Sequence, residues 1–449
     1  MEEKQTEGDF FGSEKIGKIL VKIAPPVMLA QLIQALYNIV DSFFVGRYSA
    51  HALTALTVIF PLQLIIVALA VGTGVGVNTY MARKYAQGEL EDADRTAGMG
   101  MLLALATWAL FTICSVLLMR PYVMTSAKSP EAIADAVTYG TIVCAGSLGA
   151  FLEGNWTKVH QAQGKMALPM AAQMIGAVVN IILDPILIFG LGPVPEMGVA
   201  GAAWATVCGQ VAAAIITGVR GFRKPPACKQ WVHYAKLIYF YGYSSICMQA
   251  LYTVYIVALN IILSGFSDSA VTVLGLYYKL QTFFFIPLMG LQTCIVPVLS
   301  FNCARAAYGR CRETMRDSFL ISGLFMIVGM VCFIGFPDKL IALFSDSQQV
   351  MTIGLVAFPI IGASFLSAVF SLMTPVFFQA IGDGKTSLLL SLTRQIFCLI
   401  PIFWLLSRIG LNATWFAFPI SETVVGVMGI LLYRRECKRW QQRSAGLAK

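Results

Sequence analysis

Stretches of about twenty apolar residues recur from one end of this chain to the other, and that recurrence constrains the fold more than any single residue does. A helix that crosses a bilayer satisfies its own backbone hydrogen bonds, and it needs roughly 20 apolar residues to do so. Twelve such spans are readable, at about 16–45, 52–82, 96–119, 132–157, 166–190, 197–219, 237–264, 270–302, 317–336, 348–379, 386–407 and 412–433. Of the 449 residues, 57% are hydrophobic and 12% charged, too little polar surface to clothe a soluble protein of this size. The expected fold is an all-α membrane protein, with twelve transmembrane helices in two pseudo-symmetric six-helix bundles. The short polar start, Met1 to Phe11, begins acidic and is not a secretory signal peptide.

A net charge of +9 could suggest a nucleic-acid partner, but its distribution points to a bilayer. With the N-terminus in the cytoplasm, only Arg47, Arg120, Lys128, Lys339 and Arg408 of the 32 basic residues fall on the outer side. Lys279 and Arg394 lie within spans, and all the others are cytoplasmic. This is the positive-inside pattern, and it supports an even span count with both termini cytoplasmic. The eleven cysteines are scattered without a C-x-x-C pair, which argues against a disulfide framework or metal site. His51, His160 and His233 fall near span ends and read as interfacial. GTGVG, Gly72–Gly76, lies inside a span, so it marks close packing or a bend and not a dinucleotide loop. Neither a Walker sequence nor a nucleophile–base constellation is present, so the chain is not read as an enzyme.

The chain divides near GFRKPPACKQW, Gly221–Trp231. The reading is a cytoplasmic tail at 1–15, a first lobe at 16–220, a linker at 221–236, a second lobe at 237–436 and a cytoplasmic tail at 437–449. Asp41 precedes Gly46 by five residues, as Asn260 precedes Gly265. YMARKYAQGE resembles FNCARAAYGR, and QAQGK resembles QAIGDGK, at an offset of 218 to 221 residues. With six spans each, the halves share one orientation, a layout that suits two bundles rocking about a central cavity.

Charged residues inside a membrane cost about 2.5–3.5 kcal/mol each on insertion scales, so they are functional candidates. Span 1 carries Gln31, Gln34, Asn38 and Asp41 on one face, just beyond Pro25–Pro26, which is either a hinge or a passive kink. Span 5 carries Gln173, Asn180 and Asp184 on one face, and Pro185 deprives the Ile181 carbonyl of its helical donor. Asp41 and Asp184 sit at matched depth, roughly 8–9 Å below the outer helix ends. Span 6 brings Ala202 and Thr206 to an overlapping depth. Carboxylates, an amide and a freed carbonyl make a hard-cation donor set, although each acid could instead merely bond a neighbouring helix. The second half has Asn260 and Trp404 near the matching positions, so acid-based cation binding belongs to the first half. Arg394 and Glu422 lie at similar depth on consecutive spans and read as a structural ion pair. Ser364, Ser367, Ser371 and Thr374 form a polar face on span 10 that either bonds a neighbour or lines a cavity. Lys279 either snorkels or faces the cavity, and Glu153, near Asn155, could belong to a cytoplasmic vestibule.

These segments resemble the multidrug and toxic compound extrusion family over nearly the whole chain. The carriers are YNIVDSFFVG, NIILDPILIFGLG, GVAGAAWAT, PVLSFNCARAAYGR and SLTRQIFCLIP. The resemblance is to the bacterial branch with an acidic site in the first lobe. It implies a central cavity opening alternately to each side, and export of small molecules driven by inward Na+ or H+. The family's coupling residues fall on Asp41, Asn180, Asp184 and Thr206, with Ala202 giving a backbone carbonyl. Gln34, Tyr37, Asn38, Asn155, Gln249, Thr253 and Lys279 are expected to line the substrate cavity, and Pro25 and Pro26 to form the helix 1 hinge. Span 7 has only Gln249 and other uncharged residues where another branch has an acid, so no coupling site is expected in the second lobe. The expected protein is a monomeric exporter of organic cations in a bacterial plasma membrane, with no cofactor besides the coupling ion. A lipid or lipid-linked oligosaccharide flippase, and a receptor or scaffold without transport, are the alternatives.

The topology makes one direct prediction. In a chain freed of its native cysteines, Lys229→Cys should react with an impermeant maleimide from the cytoplasmic side only. Labelling from the outside alone would refute it.

Overall fold

The computed structural model describes residues 10–124, 130–190, 194–344 and 347–447, except for the side chains at 38, 39, 42, 50, 51, 53, 54, 57, 268 and 443–447. Among these residues, ten helices are long and apolar enough to cross a membrane, or twelve if two bent pairs each count as one span. In chain order they are α1 (Ile16–Tyr48), α2 (Ala50–Gln87), α3 (Leu90–Met124), α4 (Pro130–Gly146 and Leu148–Ala162), α5 (Ala167–Phe189) and α6 (Val199–Gly221). The second set is α7 (Trp231–Ser264), α8 (Asp268–Phe284 and Ile286–Ala304), α9 (Tyr308–Gly335) and α10 (Gln348–Gly362 and Phe365–Ala380). It ends with α11 (Gly384–Leu392, Thr393–Leu399 and Ile400–Ser407) and α12 (Leu411–Thr414 and Ala417–Leu447). The all-α, twelve-span architecture expected from the hydropathy pattern is the one observed.

Four spans read as unbroken are not, α12 among them with its turn at Trp415 and Phe416. The two segments of α4 meet at 40° and those of α10 at 54°, while α8 is interrupted at Phe285. The first two breaks share a device. At the α4 break the Ser147 hydroxyl donates to the Cys144 carbonyl at 2.7 Å, and at the α10 break the Ser364 hydroxyl donates to the Ile361 carbonyl at 2.6 Å. Such back-bonding accompanies helix bends, although Ser115 makes the same bond in the unbroken α3. In α10, Pro359, one turn before the break, also removes a backbone donor. Apolar runs do not register such a bend, because both segments remain apolar. Meanwhile α12 continues to Leu447, past the 433 at which hydropathy ends the span.

By packing, the chain forms two compact units, one holding 25–246 and the other 11–24 with 247–449. Their limits fall inside α1, at Ala24/Pro25, and inside α7, at Ile246/Cys247, and not at the 221–236 linker. In the first unit, the start of α7 is held by Tyr234, whose hydroxyl donates to Asp92 at 2.8 Å, and by Tyr241, which stacks on Tyr80 at 5.8 Å. GTGVG supplies the close approach: a Cβ on Gly76 or Gly72 would strike the Ile238 carbonyl or the Ile246 side chain. His160, read as interfacial, is instead fully buried, its Nε2 2.9 Å from the Thr217 carbonyl oxygen. Its position near a span end concealed that α4 packs there against α6. The His51 side chain and Lys128 lie outside the described residues.

In the second unit, the segment before α1 is fixed by Arg310, which donates to the carbonyls of Phe11 (2.8 Å) and Glu14 (2.6 Å), while Phe11 is fully buried. Arg394 lies in a π-helical turn of α11 and makes a buried ion pair with Glu422 of α12. Its Nη2 donates to Oε1 at 2.6 Å and its Nε to Oε2 at 3.1 Å. Ser371 donates to the same carboxylate, and Ser367 bonds Thr423 at 3.2 Å, so part of the polar face of α10 is spent on α12.

A buried charge is costly mainly when its partner is lost. Arg394→Met or Glu422→Gln alone should destabilise the protein by about 3 kcal/mol, and the double variant by less than either single change. Independent, additive losses in thermal melts would show that the two residues do not act as a pair.

Candidate functional site

The site in the first unit is built on the α5–α6 hairpin. Gly190 closes α5 in the left-handed region (φ 70°), a conformation that disfavours any side chain. The return into α6 is pinned by Met197 and Gly198, whose N–H groups donate to the carbonyls of Leu187 (3.0 Å) and Ile188 (3.1 Å). Further along, the two helices almost touch. A Cβ on Gly176 would lie 2.7 Å from the Gly209 carbonyl oxygen, and one on Gly209 would lie 2.6 Å from that of Gly176. This approach carries Asn180, one turn past Gly176, onto Thr206, one turn before Gly209.

There the Asn180 Nδ2 donates to Asp184 Oδ1 and to Thr206 Oγ1, both at 3.5 Å. Asp41, Asn180, Asp184, Ala202 and Thr206 are all buried, and Asp184 and Ala202 are fully so. Asp41 Oδ1, Asn180 Oδ1 and Asp184 Oδ2 are buried with no hydrogen-bond partner among the described residues. The two carboxyl groups act on one another electrostatically, and Tyr37 lies within electrostatic reach of both. A set of buried oxygens left without donors is suited to a cation or to protons.

The other residues singled out from sequence are not all gathered here. Asn155 is buried in a separate small void of the same unit, lined by Leu69, Thr73, Gly74, Gly100 and Phe151, and neither its Oδ1 nor its Nδ2 has a partner among the described residues. Gln34 is exposed, and the Asn38 side chain lies outside the described residues. In the second unit, Gln249 and Thr253 are partly buried and Lys279 is exposed. Pro25 and Pro26 lie within an α1 that stays helical through both. Trp404, near the position matching Asp184, is 47% exposed, so the second unit has no counterpart of that buried acid there. Sequence reasoning missed Tyr139 of α4. It is fully buried beside Thr206 and accepts from Gln63 Nε2 of α2 at 3.3 Å. An aromatic residue in an apolar span carries no signal that would have found it.

A repeated twelve-span helical fold with a polar cluster buried in one half defines a membrane transporter. The MatE family model matches this chain twice, at residues 26–186 and 245–405. The chain belongs to this family, the multidrug and toxic compound extrusion transporters, and is a multi-pass membrane protein. It is 23% identical over 438 residues to a FAD transporter of Shewanella oneidensis, covering 95% of this chain and 96% of that protein. It is 21% identical over 432 residues to the multidrug export protein MepA of Staphylococcus aureus, covering 94% of each. Its fold matches MATE in the bent conformation at a TM-score of 0.90, with 22% identity over 98% of this chain and 99% of that one. A MOP superfamily transporter from Pyrococcus furiosus matches at 0.89, with 23% identity over 97% and 99%.

The glycine contact can be tested apart from transport. Gly209→Val should destabilise the protein by about 1–3 kcal/mol through overpacking. Gly17→Ala, where an added methyl meets nothing within 4 Å, should be neutral in the same thermal melts. Equal effects of the two changes would rule out the close approach.

Proposed function

We propose that this transporter is a secondary active multidrug exporter, exchanging inward Na+ or H+ for outward organic cations by alternating access. The observation that carries the reading is the group of buried, unpartnered oxygens on Asp41, Asn180 and Asp184. Two neighbouring carboxylates cannot both stay ionised cheaply in a low dielectric, so they take up a cation or a proton, and they respond as a unit. In this mechanism Thr206 and the Ala202 carbonyl complete the coupling site. Neutralisation lets α1, α5 and α6 close, and α1 bends at Pro25–Pro26. The ion drives export only if it binds the outward-open state more tightly than the inward-open one. The charge asymmetry of the loops supports cytoplasmic termini in a bacterial plasma membrane. The relative named a multidrug export protein supports the substrate class.

The relative named a FAD transporter makes a flavin nucleotide the competing cargo. Reconstituted vesicles separate the two. Ethidium efflux under an imposed Na+ or pH gradient supports organic cations, whereas efflux of FAD without ethidium would replace that cargo and leave the coupling site standing. Asp41→Asn and Asp184→Asn should each abolish gradient-driven efflux, and the double variant should be little worse than either, because the two carboxyls act together. Asn260→Ala, in the other half, should be milder. Full coupled efflux by purified Asp41→Asn protein would sink the coupling mechanism.

A further inference from the structure

A third acid of the first unit is left unused by this scheme. Glu153 stands on the second segment of α4, and its Oε1 accepts from the Thr157 hydroxyl at 2.6 Å and from Gln173 Nε2 of α5 at 3.3 Å. Its Oε2 carries no hydrogen bond among the described residues, and Glu153 makes no ion pair there. Gln173 lies on the same face of α5 as Asn180 and Asp184, and seven residues separate it from Asn180, about 10 Å along the helix. Tyr37 of α1 links the two levels, lying within electrostatic reach of Asp41, Glu153 and Asp184 alike. Lys158, whose ammonium donates to Gln161 at 2.9 Å, acts on Glu153 electrostatically.

We infer that Glu153, with Thr157 and Gln173, forms a second and weaker cation station, which the coupling ion occupies after leaving Asp41 and Asp184 on its way to the cytoplasm. The inference rests on the coupling reading above. An ion released inward from the carboxylate pair leaves its oxygen ligands inside the bundle, where an unsolvated charge is expensive. A carboxylate oxygen, an amide oxygen and a hydroxyl two turns below Asn180 divide its passage into shorter steps. Na+ would exchange the oxygens of the upper site for Glu153 Oε2, Gln173 Oε1 and Thr157 Oγ1. A proton would leave an aspartic carboxyl to water and be taken up from water at Glu153 Oε2. Lys158 fits a station of release, because a positive charge close by keeps cation binding weak.

The test uses the full chain in proteoliposomes, with ethidium as cargo and inward Na+ and pH gradients imposed separately. Glu153→Gln is expected to slow coupled efflux about tenfold, a barrier change of about 1.4 kcal/mol. The rise in melting temperature caused by Na+ or by acidification should stay as in the parent, since the upper site is intact. Glu153→Asp should recover most of the rate. Parental efflux by Glu153→Gln alongside inactive Asp41→Asn overturns the station alone. Loss of the cation-induced stabilisation in Glu153→Gln also overturns it, since Glu153 would then belong to the upper site. Full coupled efflux by Asp41→Asn marks failure of the coupling reading itself. If Glu153→Gln does not insert, Gln173→Leu, which keeps every charge, decides: a slowed rate supports the station and an unchanged rate overturns it.

Discussion

A carboxylate without a counter-charge inside an apolar helix bundle is the constraint on which the rest of this structure turns. Burial penalises the charged form, and an isolated ionised group persists only when it is paired, solvated or neutralised. The two halves meet that demand differently. In the second unit, Glu422 is held by Arg394 through several hydrogen bonds and by Ser371 as well, all from protein groups. In the first unit, Asp41 and Asp184 each retain a buried oxygen with no partner among the described residues. An acid satisfied by its own chain is a fixture. An acid left open is stabilised by something mobile bound to it, and that difference supports the proposal that ion coupling belongs to the first half.

The openness of those oxygens depends on precision elsewhere. Asn180 can reach both Asp184 and Thr206 only because α5 and α6 meet backbone to backbone at Gly176 and Gly209. The segments of α4 contribute to the same framework: Gly149 lies against Gln210 and Val211 of α6, where a Cβ would stand 2.8 Å from backbone atoms. Small residues are how helices approach closely in lipid, where no hydrophobic force draws them together. The glycines of this half therefore set the site's geometry without contributing a side chain to it.

Much of this was legible in the sequence. Span length and charge asymmetry gave twelve helices, and the family model begins its matches at residues 26 and 245, an offset of 219 that lies within the repeat read from short segments. Asn180, Asp184 and Thr206 could be grouped because helical periodicity fixes faces and rise fixes depth, and Arg394 with Glu422 followed from depth alone. What stayed hidden has no period or charge to betray it. Tyr139 and Gln63 join the site's surroundings from α4 and α2 through tertiary packing. Asn155, two residues from Glu153, turns into a different void, because neighbours at that spacing on a helix point to opposite sides. The bends in α4 and α10 fall at serines bonded back to the preceding turn, a feature that hydropathy cannot weigh.

Those bends also show which features of the duplication have persisted. The halves differ in their buried acids, yet Ser147 and Ser364 stand at the breaks of corresponding helices and make the same hydrogen bond to the carbonyl three residues back. A bend sets where the following segment travels, and so fixes the positions that Glu153 and Ser371 occupy on those segments. In the first unit that segment bears Glu153, whose carboxylate stays partly open. In the second it bears Ser371, whose hydroxyl helps to close the Arg394–Glu422 pair. The same backbone device thus carries opposite electrostatic roles. Architecture in a bilayer is constrained by backbone hydrogen bonding and helix packing, whereas the polar side chains that the framework presents are free to diverge. One half can then leave an acid open while its twin closes one with a fixed counter-charge, without any change in the frame that supports both.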